Sequence, residues 1–147
     1  MILSALFLLL VPLAAYGAES KSQAELDLGS GLDAETLQAA REGSLAAING
    51  IRGKLGLAPL TLNESLQKAA QSHANYAESI RNDETQRFLS FHYEHLQDNP
   101  WYTGYTSDDR AAFFGYPDLS EGANVGEVAS SGFRSLDPSG NLMYIFD

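Results

Sequence analysis

The sequence contains no cysteine among its 147 residues. Disulfide bonds, thiolate zinc sites and lipid attachment to a cysteine are therefore excluded, and packing and polar contacts have to stabilise the fold. The patterns Gly-x-Ser-x-Gly and His-Glu-x-x-His are also missing, which removes the usual signatures of serine hydrolases and zinc peptidases. Covalent catalysis is not expected, and the remaining candidates for chemistry are histidine and carboxylate side chains.

Basic residues are scarce: 9 Lys and Arg stand against 19 Asp and Glu, for a formal net charge of −10. A surface of this sign repels nucleic-acid phosphates and anionic lipid headgroups. We therefore expect no nucleic-acid partner and no strong binding to anionic membranes. Divalent cations or basic partners fit the charge better, and simple solubility is the alternative explanation.

An apolar run at residues 2–15 is too short to span a bilayer easily, and small residues at Ala15, Gly17 and Ala18 offer a cleavage site. We interpret residues 1–18 as a signal peptide and expect a secreted or periplasmic protein. Because no Lys or Arg precedes the run, a retained N-terminal anchor and a misplaced start codon are the alternatives.

The rest of the chain has the length and the 44% hydrophobic content of one domain. Residues 19–33 are polar and lack periodicity, so we interpret them as a linker before a domain at 34–147. The domain begins with a predicted helix from an Asp33 N-cap to a stop at Gly56. No internal repeat is present.

A second helix is predicted from a capping box at Thr61–Glu64 to Ile80, with an apolar stripe that should pack on the first helix or on a sheet. A short third helix follows between Thr106 and Gly115. Asn124–Ala129 has the pattern of a strand, and Leu142–Phe146 is either a second strand or the start of another helix.

A series of short patterns runs through this domain. In chain order they are Asn49-x-x-Arg52, Gly56-Leu-Ala-Pro-Leu60, Ala69-Ala-Gln-Ser-His-Ala74, His92-Tyr-Glu94, Tyr102-Thr-Gly104, Asp109-Arg-Ala111, Gly115-Tyr116 and Val125-Gly-Glu-Val128. In order and spacing the chain resembles the SCP-domain proteins of the CAP superfamily, which are related to cysteine-rich secretory and plant pathogenesis-related proteins. Eukaryotic members of this superfamily are usually rich in disulfide bonds, whereas this chain has no cysteine. The resemblance is therefore to the bacterial branch, and a bacterial origin is expected.

The resemblance implies an α+β fold, a three-layer α/β/α sandwich, with a cleft in which two histidines and two glutamates hold a divalent ion, commonly zinc. His92 and Glu127 match one histidine and one glutamate of that set, although Val128 stands where asparagine is usual. In other members of the family, the remaining histidine and glutamate lie in the second half of the domain, beyond the position that corresponds to Asp147. We therefore expect a chain truncated in its second half, with a complete shortened variant as the alternative.

Other candidate residues compete with this pair. His95 could share a helical face with His92, and Glu121 could replace Glu127 if the alignment shifts. His73 lies in the apolar stripe of the second helix, and we interpret it as a hydrogen-bonded core residue outside the site. The predicted metal ligands are therefore His92 and Glu127.

The function implied by the resemblance is that of a secreted binding protein rather than an enzyme, with zinc as the candidate cofactor and an extracellular small molecule, lipid or protein as partner. One alternative is a metal-dependent hydrolase, in which Glu127 activates a zinc-bound water and His92 transfers a proton. Another is a truncated fragment without function.

Overall fold

The computed structural model describes residues 20–86, 89–116 and 125–127. Its four helices are α1 at Gln23–Gly29, α2 at Ala34–Lys54, α3 at Glu64–Ser79 and α4 at Ser107–Phe113. Turns and irregular loops connect them, the longest between α3 and α4. Among the described residues, no helix has both the length and the apolarity that a membrane crossing requires.

The predicted fold class is wrong for this part of the chain. About half of the described residues are helical and none of them forms a β-strand, so no α/β/α sandwich is seen. Val125–Glu127, which the sequence predicted to be part of a strand, has no regular secondary structure. The other predicted strand, Leu142–Phe146, and the signal peptide at 1–18 lie outside the described residues.

Helix starts follow local capping chemistry. The Asp33 carboxylate accepts the N–H of Thr36 at 2.8 Å, which confirms the predicted start of α2. Thr106 and Asp109 form a reciprocal capping box at the start of α4. For α3 the predicted cap is wrong by two positions, because the Asn63 side chain, and not that of Thr61, accepts the N–H of Leu66.

Helix α1 lies in the segment that the sequence pattern indicated to be a linker. Ser22 caps it, with Glu25 completing a capping box, and the side chain of Leu26 is fully buried. A helix of seven residues is barely two turns long, too short to show a 3.6-residue period. Its stability depends on packing, which a local pattern does not reveal.

Helix α3 packs against α1 and α4 and makes no close backbone contact with α2. The core cluster is Leu26, Ala69 and Phe114, with Trp101 and Phe113 packed around it. An open groove of about 400 Å³ lies beside α2 and is lined mainly by apolar side chains such as Leu45, Ile48 and Leu62. The predicted packing of α3 on α2 is therefore reduced to a side-chain hydrogen bond from Arg41 to Gln71 at 3.0 Å, and no sheet is present among the described residues.

The buried face of α3 is polar and binds neighbouring backbone. Asn75 donates to the Leu26 carbonyl at 2.8 Å, and Ser72 donates to the Trp101 carbonyl at 3.1 Å. The Tyr76 hydroxyl accepts the N–H groups of His95 and Leu96. Ser72 and Tyr76 thus supply hydrogen-bond partners to backbone groups in the described part of the α3–α4 loop, which has no strand beside it there.

Two of the sequence patterns act together in the turn after α2. The Asn49 side chain accepts the N–H of Leu60 at 2.7 Å and donates to the carbonyl of the same residue at 2.9 Å. Arg52 donates to the Ala58 carbonyl at 2.8 Å. The spacing between these patterns thus serves to fold the connection between α2 and α3.

We predict that Gly29→Ala destabilises the domain, because a Cβ atom at this position would overlap the Trp101 ring and the Asn75 amide. The expected loss of unfolding free energy is about 1–3 kcal/mol, as for other overpacked sites. Urea denaturation followed by circular dichroism measures it.

Gly50→Ala is the matched control, since a Cβ there meets open space inside α2. It should leave stability unchanged or raise it by up to about 1 kcal/mol. Equal stability of the two variants would contradict the close packing of α1 against Trp101.

Candidate functional site

The two residues predicted as metal ligands lie in contact with each other. His92 comes from the loop between α3 and α4, and its Nδ1 atom is 2.9 Å from Glu127 Oε2. The His92 side chain is 49% exposed, whereas that of Glu127 is 19% exposed. The pair therefore stands at the surface, with histidine outermost.

Arg110 of α4 lies beneath this pair. Its guanidinium is 1% exposed and donates from Nη2 to Glu127 Oε1 at 2.5 Å. The same group donates to the backbone carbonyls of His92 and Tyr105 at 3.3 Å. Arg110 was not predicted to belong to the site, because a single arginine in a short acidic helix gives no sign of burial.

The segment carrying Glu127 is attached to the start of α4. Ser107 donates to the Val125 carbonyl at 3.0 Å, and the Asp108 carboxylate accepts the Val125 N–H at 2.5 Å. Because both anchoring residues precede Arg110 in the same helix, the carboxylate of Glu127 and the guanidinium are brought together by one element.

A second histidine and glutamate form the inner part of the site. His73 Nδ1 is 3.0 Å from Glu94 Oε1, and Glu94 is completely buried. Glu94 Oε2 accepts the N–H of Thr103 at 2.8 Å, and Oε1 lies 3.9 Å from Arg110 Nε. The site network is therefore His73, His92, Glu94, Arg110 and Glu127.

Besides Arg110, two other residues of this network were missing from the predicted site. His73 is buried and hydrogen-bonded as expected, but it lies inside the network rather than outside the site. Glu94 belongs to the pattern His92-Tyr-Glu94, and its place two residues after the candidate ligand was the only signal available.

Burial and hydrogen bonding act in opposite directions on Glu127. Partial burial by itself would raise the pKa of this carboxyl, but the hydrogen bonds from His92 and Arg110 and the charge of Arg110 outweigh that effect. The pKa of Glu127 is therefore below its usual value, and the carboxylate is ionised at neutral pH.

No complete metal site is found among the described residues. Within them, no group of three or more His, Asp or Glu side chains is placed to hold an ion. His92 and Glu127 offer two donor atoms, and the His95 ring instead packs edge-on against Tyr105. Protein zinc sites use at least three protein ligands. Glu121, the competing candidate, lies outside the described residues.

Comparison with protein families decides the affiliation. The model of the cysteine-rich secretory protein family, CAP, matches residues 45–135, more than half of the chain. The chain belongs to the CAP family. Comparison with curated proteins and with solved structures gives no significant match. The region matched to CAP contains all five residues of the site network and begins within α2, after α1.

This CAP domain is a member without cysteine, in spite of the family's descriptive name. The buried network of charged and polar groups connects the α3–α4 loop to both helices. Salt bridges of this kind are costly to break on one side, because a buried charge is then left unpaired. The network is therefore a structural as well as a chemical element of the CAP domain.

We predict that Glu127→Gln lowers stability most at neutral pH. A carboxyl whose pKa falls on folding contributes stability above its unfolded pKa, about 4.3, and loses that contribution as the pH falls through the folded pKa. The difference in unfolding free energy between wild type and variant should therefore shrink on acidification below pH 4.3. Denaturant titrations between neutral and acidic pH measure it.

Glu42→Gln removes the same charge from an exposed position of α2, where the carboxylate accepts from Gln38. Comparison of the two variants isolates the effect of the contacts with Arg110 and His92. A Glu127→Gln difference that stays constant or grows on acidification would be inconsistent with an ionised, hydrogen-bonded Glu127.

Proposed function

We propose that this CAP domain acts by binding, at a site formed by the exposed side chain of His92 and the carboxylate of Glu127. The observation that supports this proposal is the direct contact of the two side chains at 2.9 Å above a buried guanidinium. Hydrogen bonds hold the side chains of His92 and Glu127 in place above Arg110 and leave polar atoms of His92 exposed. Such an arrangement suits recognition, since little side-chain freedom is lost when a ligand binds.

The proposed setting is outside the cytoplasm, with an extracellular small molecule, lipid or protein as the ligand. Two observations support export: the apolar run at residues 2–15, and membership of a family described as secretory. The net charge of −10 favours a cationic or neutral ligand over a nucleic acid.

A divalent ion fits this proposal as part of the bound state. His92 Nδ1 and Glu127 Oε2 would hold it, with the remaining positions filled from outside the described residues or by water. A bound ion would supply a positive charge that attracts oxygen atoms of the ligand. Arg110 orients Glu127 through its other oxygen, as groups behind metal ligands commonly do.

A metal-dependent hydrolase has less support. A general base works best when its pKa is near the working pH, and Arg110 and His92 hold the pKa of Glu127 below its usual value. The Glu127 carboxylate is also engaged at both oxygens. These contacts favour holding a charge in place over accepting a proton.

The expected outcome of a zinc titration is a rise in the melting temperature of the full chain. Binding to the native state alone stabilises it by about 2.7 kcal/mol at a ligand concentration one hundred times Kd. His92→Ala should abolish the rise by removing one of the two donors. Differential scanning fluorimetry, with calorimetric titration of the folded protein, measures both quantities.

His95→Ala is the matched control, because it removes a histidine of the same loop that contacts Tyr93 and Tyr105. This variant should retain the zinc effect. Absence of a shift in wild type, or equal shifts in wild type and His92→Ala, would reject the metal part of the proposal.

A further inference from the structure

The side of α2 that lines the open groove is mainly apolar. Among the described residues, α1 is the only helix whose backbone comes close to α2, and it has seven residues against the 21 of α2. The α2 side chains at the groove have the spacing of one helix face. We call this set the groove face: Leu37, Ala40, Arg41, Ser44, Leu45 and Ile48.

Exposed leucines lie on both sides of α2 in the chain. Leu28 and Leu32 precede the helix, and Leu55, Leu57 and Leu60 follow it, with exposed fractions between 40% and 79%. Single exposed leucines are common on protein surfaces, whereas an extended apolar patch indicates an interaction surface. A partner that lies along α2 would cover leucines at each end as well as the groove face.

The distribution of charge favours a second copy of this chain as that partner. The whole chain has 9 basic and 19 acidic residues, but residues 34–54 contain three basic and two acidic ones. A cationic partner would be attracted to the acidic parts of the surface rather than to α2. Two copies, each with a net charge of −10, repel one another least where their local charge is balanced.

The charges at the ends of α2 indicate that two such helices would pair antiparallel. The helix begins at an Asp33 cap and has Arg52 in its last turn. By helical spacing both residues are in line with the groove face, four positions before Leu37 and four after Ile48. Antiparallel pairing places each acidic start beside the basic end of the partner and opposes the two helix dipoles, whereas parallel pairing brings like charges together.

The register follows from symmetry. In a two-fold pair the same surface patch is used by both copies. Ser44 is the central residue of α2 and belongs to the groove face, and the nearby Ala40 is also small, so two backbones can approach closely there. An axis at Ser44 brings Ala40 opposite Ile48 of the partner subunit.

We propose that this chain forms a two-fold symmetric dimer, in which the groove faces of two antiparallel α2 helices pack together about an axis at Ser44. Burial of apolar side chains such as Leu45 and Ile48 supplies the driving force, and the pairing of acidic with basic helix ends sets the orientation. The groove face contains no residue of the site network, so the proposal does not rest on the proposed function.

The first test is sedimentation velocity of the full chain over a range of protein concentrations. The wild-type chain should sediment as a dimer that dissociates on dilution. Ser44→Arg sets two positive charges against each other at the symmetry axis, so the dissociation constant of the dimer should rise at least about tenfold. A wild-type chain that is monomeric at every concentration would overturn the proposal.

Ala46→Arg is the matched control. Residue 46 is exposed and lies two positions from Ser44, on the opposite side of α2. The variant adds the same charge and should leave the dissociation constant unchanged. Equal weakening by the two variants would show that net charge, and not the groove face, governs association, and it too would overturn the proposal.

The second test uses the absence of native cysteine. Ser44→Cys replaces one oxygen by sulfur and introduces a single thiol at the axis with little change in shape. Facing Cα atoms of closely packed helices come within the range of about 4.4–6.8 Å that a disulfide spans, so mild oxidation should produce a covalent dimer on a non-reducing gel. Ala46→Cys should stay monomeric on the same gel. No covalent dimer of Ser44→Cys, or equal amounts from both variants, would contradict the proposed interface.

A mixture of two single variants tests the orientation. In the antiparallel register, Ala40→Cys and Ile48→Cys should cross-link with each other, and a size tag on one of them identifies the mixed dimer. Each variant alone should cross-link much less. Parallel pairing would give the reverse result, with each variant linked to itself, and would overturn the antiparallel arrangement.

A part of the same chain outside the described residues is the competing occupant of the groove face. In that case the wild-type chain would be monomeric and Ser44→Cys would not cross-link, so both tests distinguish it from a dimer. The cysteine test also remains decisive if Ser44→Arg does not fold. Neither test uses zinc or another ligand, so failure of the dimer and failure of the proposed function are separate outcomes.

Discussion

The buried guanidinium of Arg110 is the group on which the described structure depends most. It compensates the carboxylate of Glu127, lies close to that of Glu94 and binds backbone carbonyls of the α3–α4 loop. A planar cation with five donors can serve all of these acceptors at once, as an ammonium group cannot. Because Arg110 is almost fully buried, each of these acceptors loses a partner if it is removed.

This polar centre contributes hydrogen-bond partners to the described part of the α3–α4 loop, which has no strand beside it there. The described part of the loop has its carbonyls at Phe91 and His92 bound by side chains, and its N–H groups at His95, Leu96 and Thr103 bound by Tyr76 and Glu94. Side chains of α3, of α4 and of the loop itself thus provide the hydrogen bonds that a neighbouring strand provides in a sheet. The proposed binding surface consequently includes a loop positioned by two helices.

The contrast between family and structure has a physical basis. Membership of CAP is shown by a match over residues 45–135, and the CAP fold contains both helices and strands, yet the described residues are helical and irregular. Several of the sequence patterns shared with the family have a structural role among the described residues. Asn49 and Arg52 fold the turn after α2, and Arg110 organises the loop and Glu127. None of these functions requires a strand.

The sequence by itself determined the family, the helix starts at Asp33 and Thr106 and the helix stop at Gly56. It also indicated the candidate pair His92 and Glu127. Capping and family patterns are local in the chain, so they can be seen without a fold. One local prediction failed: Asn63, and not Thr61, caps α3. Helix α1, within the predicted linker at 19–33, was not foreseen because it is too short to show a period.

Tertiary structure decided the partner of α3 and the members of the site beyond the predicted pair. Whether α3 packs on α1 or α2 depends on which surfaces meet in the folded chain. The buried face of α3 includes Ser72, His73, Asn75 and Tyr76, so its hydrophobic pattern in the sequence does not identify it as an interface. The contacts of His73 with Glu94 and of Arg110 with Glu127 join residues 21 and 17 positions apart. Such contacts arise only when the chain folds back on itself, because sequence spacing carries no information on which distant charges will be buried together.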